Sequence, residues 1–98
     1  MSDFTFDCES REAFYKGKRL PLTIKQYELL RLLVEHQNET ALRSMLMEKL
    51  YPADWSQPAE NTVDVFIFFL RKKLAEATGG EACIETVWGK GYRLKTAA

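Results

Sequence analysis

The side chains best suited to recognising another molecule gather in the last third of the chain. Asn61 and Thr62 open the segment NTVDVFIFFLRKKL, which closes on the basic run Arg71-Lys72-Lys73. Lys90 sits in a Trp-Gly-Lys-Gly turn within IETVWGKGYRL, and Arg93 follows it. Guanidinium and ammonium groups pair with phosphate, while amide and hydroxyl groups bond phosphate oxygens or base edges. The chemistry on offer is noncovalent recognition of a nucleic acid.

Covalent chemistry has no comparable set. His36, the one histidine, falls near the end of a predicted helix, where a solvated imidazole favoured by the helix dipole is the ordinary reading. There is no Ser-His-Asp set, no Cys-His pair at useful spacing and no phosphate-cradling glycine loop, so neither enzymatic activity nor a cofactor or metal is expected. Cys8 and Cys83 lie far apart and match no metal-ligand spacing. In a reducing cytosol they are expected as small buried hydrophobes.

The 98 residues suffice for one domain with a single core. Apolar content of 46% and charged content of 29% are ordinary for a globular chain. No apolar run approaches the roughly 20 residues of a membrane span, and the N-terminus MSDFTFDCES lacks a basic, apolar signal sequence. A cytoplasmic location without a membrane partner is expected. Net charge is zero, but it is unevenly spread: residues 1–60 hold eight basic and ten acidic side chains, residues 61–98 six and four. The positive excess coincides with the nucleic-acid candidates, a modest signal.

These residues need elements to hold them. FTFDCESREAFYKGKRLPLT alternates apolar and polar positions with turn signals at 7–10 and 16–18, which predicts short antiparallel strands over one side of a core. Thr23 caps a first helix, with Gln26 completing a capping box and Tyr27, Leu30, Leu33 and Val34 forming its apolar stripe. A second helix is predicted over Arg43 to Tyr51, with Leu46 and Leu50 inward. After a loop with two prolines, a third helix places Val63, Ile67, Leu70 and Leu74 on one inward face. Gly79-Gly80 ends it, and a hairpin closes the domain, its Gly89 and Gly91 expected to allow positive φ. A helix followed by a glycine-turned hairpin is the ending of a winged helix-turn-helix. The fold class is therefore α+β: an N-terminal antiparallel sheet, three helices and a C-terminal β-hairpin wing.

In order along the chain, TIKQYELLRLL, the third helix ending LRKKL, and TVWGKGYRL resemble the OmpR/PhoB family of response-regulator effector domains. VDVxIxxLRxKL followed by TVxGxGYxL is a specific pairing, and the resemblance covers nearly the whole chain. It implies a bacterial transcription factor in a two-component phosphorelay. Residues 1–98 would be the winged-helix domain at the C-terminal end of a longer regulator, preceded by a receiver domain that a sensor kinase phosphorylates. The family's first strand is shortened or missing here. The implied partners are double-stranded DNA in tandem half-sites, a second copy of the domain on that DNA, and RNA polymerase.

Removing the buried face from the third helix leaves Thr62, Val65, Phe66, Phe69 and Lys73 outside, and the resemblance implies that this side enters the major groove. Asn61 and Thr62 have two readings of equal weight, N-capping and DNA contact. Arg71 matches a family arginine and is expected to reach the backbone or brace the helix. Many relatives place histidine or arginine where Phe66, Phe68 and Phe69 stand. These rings could read thymine methyls, meet a partner protein or belong to the core. Phe66 and Phe69 point outward, while Phe68 points elsewhere and could pack beneath the wing. Fewer phosphate contacts should make DNA binding weaker and less salt-dependent than in an arginine-bearing relative.

In the wing, the resemblance implies contacts from Thr86, Trp88, Lys90 and Arg93. Lys90 is the best placed for backbone or minor groove, while Trp88 is expected to pack and stiffen the hairpin. Tyr92 is expected in the core. Arg43 and Tyr51 flank the second helix where relatives touch phosphates; a solvated arginine and a half-buried tyrosine are the plainer readings. Leu42 stands where relatives carry a capping serine or threonine. The loop 52–60 corresponds to the family's polymerase-contacting loop, with Trp55 as its large apolar residue. The competing function is a winged helix kept as a protein-interaction module through Phe66, Phe68 and Phe69.

Overall fold

Two consecutive left-handed residues set the second of the two N-terminal hairpins. Lys16 (φ 49°) and Gly17 (φ 83°) make the two-residue turn between β2 (Glu12–Tyr15) and β3 (Lys18–Leu20), a geometry that matches the right-handed twist of paired strands. β1 (Phe4–Asp7) pairs along the other edge of β2, with Phe4 opposite Tyr15. In the turn after it, the Asp7 carboxylate accepts from the Glu9 and Ser10 amides. This sheet buries Phe4, Ala13, Tyr15 and Leu20. The computed structural model describes residues 3–51 and 62–96.

α1 (Ile24–Glu35) starts at the expected capping box. Thr23 Oγ1 accepts from the Gln26 amide and Gln26 Oε1 from the Thr23 amide, satisfying two otherwise orphaned donors. Tyr27, Leu29, Leu30 and Leu33 are buried, and Val34 is half-buried. At its end His36 is the cap residue, with its Nδ1 2.9 Å from the Leu32 carbonyl oxygen.

α2 (Arg43–Leu50) has Leu42 at its N-cap with no side-chain cap. The wing compensates in part, because the Arg43 amide donates to the Lys90 carbonyl at 3.2 Å. At the other end, Lys25 donates to the Leu50 carbonyl at 2.6 Å and lies 4.6 Å from the Tyr51 ring centre. A cation there also suits the negative end of the helix dipole.

α3 (Thr62–Thr78) buries Val63, Ile67, Leu70 and Leu74, the face its periodicity predicts. Gly79 (φ 64°) and Gly80 (φ 90°) end it in left-handed backbone. β5 (Ala82–Val87) and β6 (Gly91–Thr96) form the hairpin, and β4 (Ala41–Leu42) joins the free side of β6, giving the order β4-β6-β5. The core gathers the buried faces of the three helices with Ile84, Tyr92 and Leu94 of the hairpin and Phe4, Tyr15 and Leu20 of the first sheet. The arrangement is the α+β winged helix-turn-helix expected from the sequence.

Two expectations need correction here. Gly91 does not serve the turn through positive φ; only Gly89 (φ 77°) does. A Cβ on Gly91 would lie 2.0 Å from the Ala41 carbonyl oxygen, so glycine is required by the close approach of β4. Cys8 and Cys83 are exposed, not buried. Cys83 faces outward because Ala82 and Ile84 on either side of it point in, and Cys8 lies in the turn after β1.

Candidate nucleic-acid interface

The side of α3 turned away from the core is apolar. Val65, Phe68, Phe69 and Lys72 stand at i, i+3, i+4 and i+7, hence on one face, and the first three are 45%, 57% and 47% exposed. Phe68 and Phe69 meet edge to face, with centroids 5.3 Å apart and planes at 82°. Lys72 places its ammonium 5.4 Å from the centre of the Phe68 ring. Phe68 therefore does not pack beneath the wing; its position turns it outward beside Phe69. Phe66 lies to one side, half-buried against the core, so it is less outward than its sequence position suggests. Thr62 is half-buried at the start of the helix. Asn61 and Trp55 fall outside the described residues.

Two polar clusters fix α3 to the wing. Arg71 donates from Nε to the Ile84 carbonyl at 3.0 Å and from NH2 to Thr86 Oγ1 at 2.7 Å, with its guanidinium 5.7 Å from the Tyr92 ring centre. Of its two expected roles, the structure shows the brace. Asp64 accepts from the Tyr92 hydroxyl through Oδ1 and from Arg43 NH2 through Oδ2, the latter at 2.7 Å. Burial, reinforced by the bond to Asp64, pushes the Tyr92 hydroxyl up to about 12. Tyr92 is core, as expected. Arg43, Asp64, Trp88 and Lys90 together edge a cleft of about 400 Å³ between α2, α3 and the wing.

Most cations around this face are held within the domain. Lys73 sits at the flank of α3, donating to the Pro21 carbonyl at 2.6 Å and to Gln26 Oε1 at 2.7 Å. Its helix-face position is real, but its ammonium is directed back to the start of α1. Arg93 is bidentate on Glu85 Oε1, at 3.1 and 2.8 Å, which holds the Glu85 carboxyl below its usual range. Lys72 and Lys90 form no ion pair among the described residues. Trp88 is 88% exposed beside the hairpin turn. The expectation that it packs and stiffens the hairpin is wrong: it follows the last paired position of β5, where no element among the described residues covers it. Tyr51 is half-buried at the end of α2.

Asp64 and Gln26 hold these elements together, and sequence reading gave Asp64 no role and Gln26 only that of a cap. The letters VDV were visible as a motif. A carboxylate between two valines on a helix that buries one of them is the signal that was available.

Comparison with known proteins fits this geometry. Residues 17–94 match the family model described as "Transcriptional regulatory protein, C terminal". The chain belongs to that family. This is the OmpR/PhoB-type effector domain, the DNA-binding part of transcriptional regulatory proteins. Across 93 residues the chain is 37% identical to the cell cycle response regulator CtrA of Brucella anthropi, covering 95% of this chain and 40% of that protein. It thus spans about two fifths of the length of the curated relatives it matches. The DNA-binding domain of the response regulator AdeR, solved with an intercistronic region, superposes with a TM-score of 0.82 at 27% identity, covering 98% of this chain and 97% of that one. The CpxR DNA-binding domain from E. coli gives 0.79 at 28% identity, covering 100% and 96%. In the family, the chemistry is DNA recognition rather than catalysis. No helix among the described residues is long and apolar enough to cross a membrane.

Proposed function

We propose that this effector domain is the C-terminal part of a longer response regulator and binds DNA as one of two tandem copies. The observation that carries the reading is the exposed outer face of α3 beside a wing bolted to it through Asp64–Tyr92 and Arg71–Thr86. A helix and a hairpin fixed relative to each other can engage one duplex in adjacent grooves without reordering. In this reading α3 enters the major groove with Thr62, Val65 and Phe69. Asn61 and Thr62 meet a phosphate at its start. Lys90 and Trp88 lie along the backbone and minor groove, while Arg43 and Tyr51 face the backbone from α2. Arg71, Thr86 and Arg93 act by holding the wing in place.

Two copies would sit head to tail on half-sites about one helical turn apart, roughly 10 bp. A receiver domain, phosphorylated by a sensor kinase, would bring them together. The segment 52–60 would meet RNA polymerase through Trp55. The test is selection of bound sequences from a random duplex library at two salt concentrations. Enrichment of tandem half-sites one turn apart is expected; retention of duplexes without enrichment, vanishing as salt rises, would leave only nonspecific binding. For the polymerase contact, Trp55→Ala should spare DNA binding and lower transcription, and loss of both would sink that assignment.

A further inference from the structure

The outward positions of α3 between Thr62 and Lys72 are Val65, Phe68 and Phe69, and none of them carries a hydrogen-bonding side chain. A helix in the major groove usually discriminates bases by donors and acceptors, which this stretch cannot supply. The groove offers a single apolar base feature, the C5 methyl group of thymine. We propose that Val65 and Phe69 read thymine methyls, with Phe68 fixing the Phe69 ring edge to face, so that the domain selects thymine-rich half-sites. This rests on the DNA-binding reading above.

Three observations favour DNA as the occupant over a second copy or another protein. The patch lies on α3, the helix that Arg71 and Asp64 tie to the wing, in a domain of a DNA-binding family. Lys72, whose ammonium lies 5.4 Å from the Phe68 ring centre, forms no ion pair among the described residues and suits a polyanion. The ring pair is also held in fixed geometry, with Lys72 over Phe68. A preset apolar surface flanked by positive charge matches a methyl-lined groove between phosphate strands.

The test compares four alternating duplexes by fluorescence anisotropy at one salt concentration: dA-dT, dA-dU, dG-dC and dG with 5-methyl-dC. Within each pair only the C5 methyl differs. The methylated duplex should bind about fourfold tighter per contacted methyl, the equivalent of ~0.8 kcal/mol of apolar burial. Phe69→Ala and Val65→Ala should each shrink that ratio. Both side chains are half exposed, so the fold should persist, which circular dichroism checks. Equal binding within each pair overturns the methyl reading while DNA binding stands. A methyl preference that survives both substitutions also overturns it, because the methyl then acts through duplex shape. No binding to any of the four overturns the DNA-binding reading as well, and concentration-dependent self-association would then assign the patch to a second copy.

Discussion

Asp64 of α3 accepts a hydrogen bond from the Tyr92 hydroxyl in β6, joining the helix proposed to read DNA to the wing behind it. The same carboxylate takes a bond from Arg43 at the start of α2, so three elements share one acidic group.

Replacing that acid should be felt at the tyrosine. Asp64→Asn removes the negative charge that, after burial, raises the Tyr92 ionisation. Tyrosinate absorbance should then show one group titrating at lower pH. The hydroxyl's folded value is about 12, above its ordinary 10. Its stabilising contribution is therefore complete below about pH 10 and disappears as pH rises toward 12. Wild-type stability, followed by denaturant unfolding, should fall across that window, and the Asn variant should lose less there. At neutral pH the variant should be less stable by roughly 1–2 kcal/mol, as for a hydrogen bond to a charged group. An unchanged alkaline profile would remove Asp64 from this role.

Gly91 supplies a steric prediction. Its Cβ would come 2.0 Å from the Ala41 carbonyl oxygen and 3.0 Å from the Arg43 amide nitrogen, both backbone atoms that cannot swing aside. Gly91→Ala should push β4 from β6 and weaken the start of α2, at a cost of about 2 kcal/mol or more. Gly89→Ala meets nothing within 4 Å and only adopts a strained φ, so its cost should be nearer 1 kcal/mol. The comparison of their thermal midpoints decides the order.

Two lysines should behave oppositely. Lys90→Ala should reduce the slope of log affinity against log salt by about one, with little change in stability. Lys73→Ala should leave that slope alone and lower stability, because its ammonium is bonded to Pro21 and Gln26 beside the α1 capping box. Equal slope losses from the two would mean that Lys73 leaves its partners for phosphate on DNA. Since Arg71, Arg93 and Arg43 also have internal partners, the total slope should be shallow.

Both thiols should be accessible. Cys8 and Cys83 are exposed, and titration of the native protein with a thiol reagent should modify both without denaturant. Protection of either until unfolding would restore the buried placement that composition suggested.

Much of the fold was legible because it depends on neighbours in sequence. The Thr23–Gln26 box, the stripe Val63-Ile67-Leu70-Leu74 and the Gly79-Gly80 stop are each written within a few residues, and helical periodicity or local hydrogen bonding determines them. The outward position of Phe69 followed from the same periodicity. Phe68, at i+3 from Val65, belongs to the same periodic outer face; Trp88 did not follow, because whether an apolar side chain is covered depends on a second element, which the spacing of its own does not report.

The sequence by itself determined which elements form, which face of each turns inward, and the family to which they belong. Tertiary structure alone decided that Asp64 meets Tyr92, 28 residues away, and that Lys73 turns to Gln26, 47 residues away. It also decided that Gly91 must clear the β4 backbone. The physical reason is range: propensity and periodicity act within a helix or strand. Hydrogen bonds and steric contacts between elements appear only when packing of their apolar faces has fixed the distances between them.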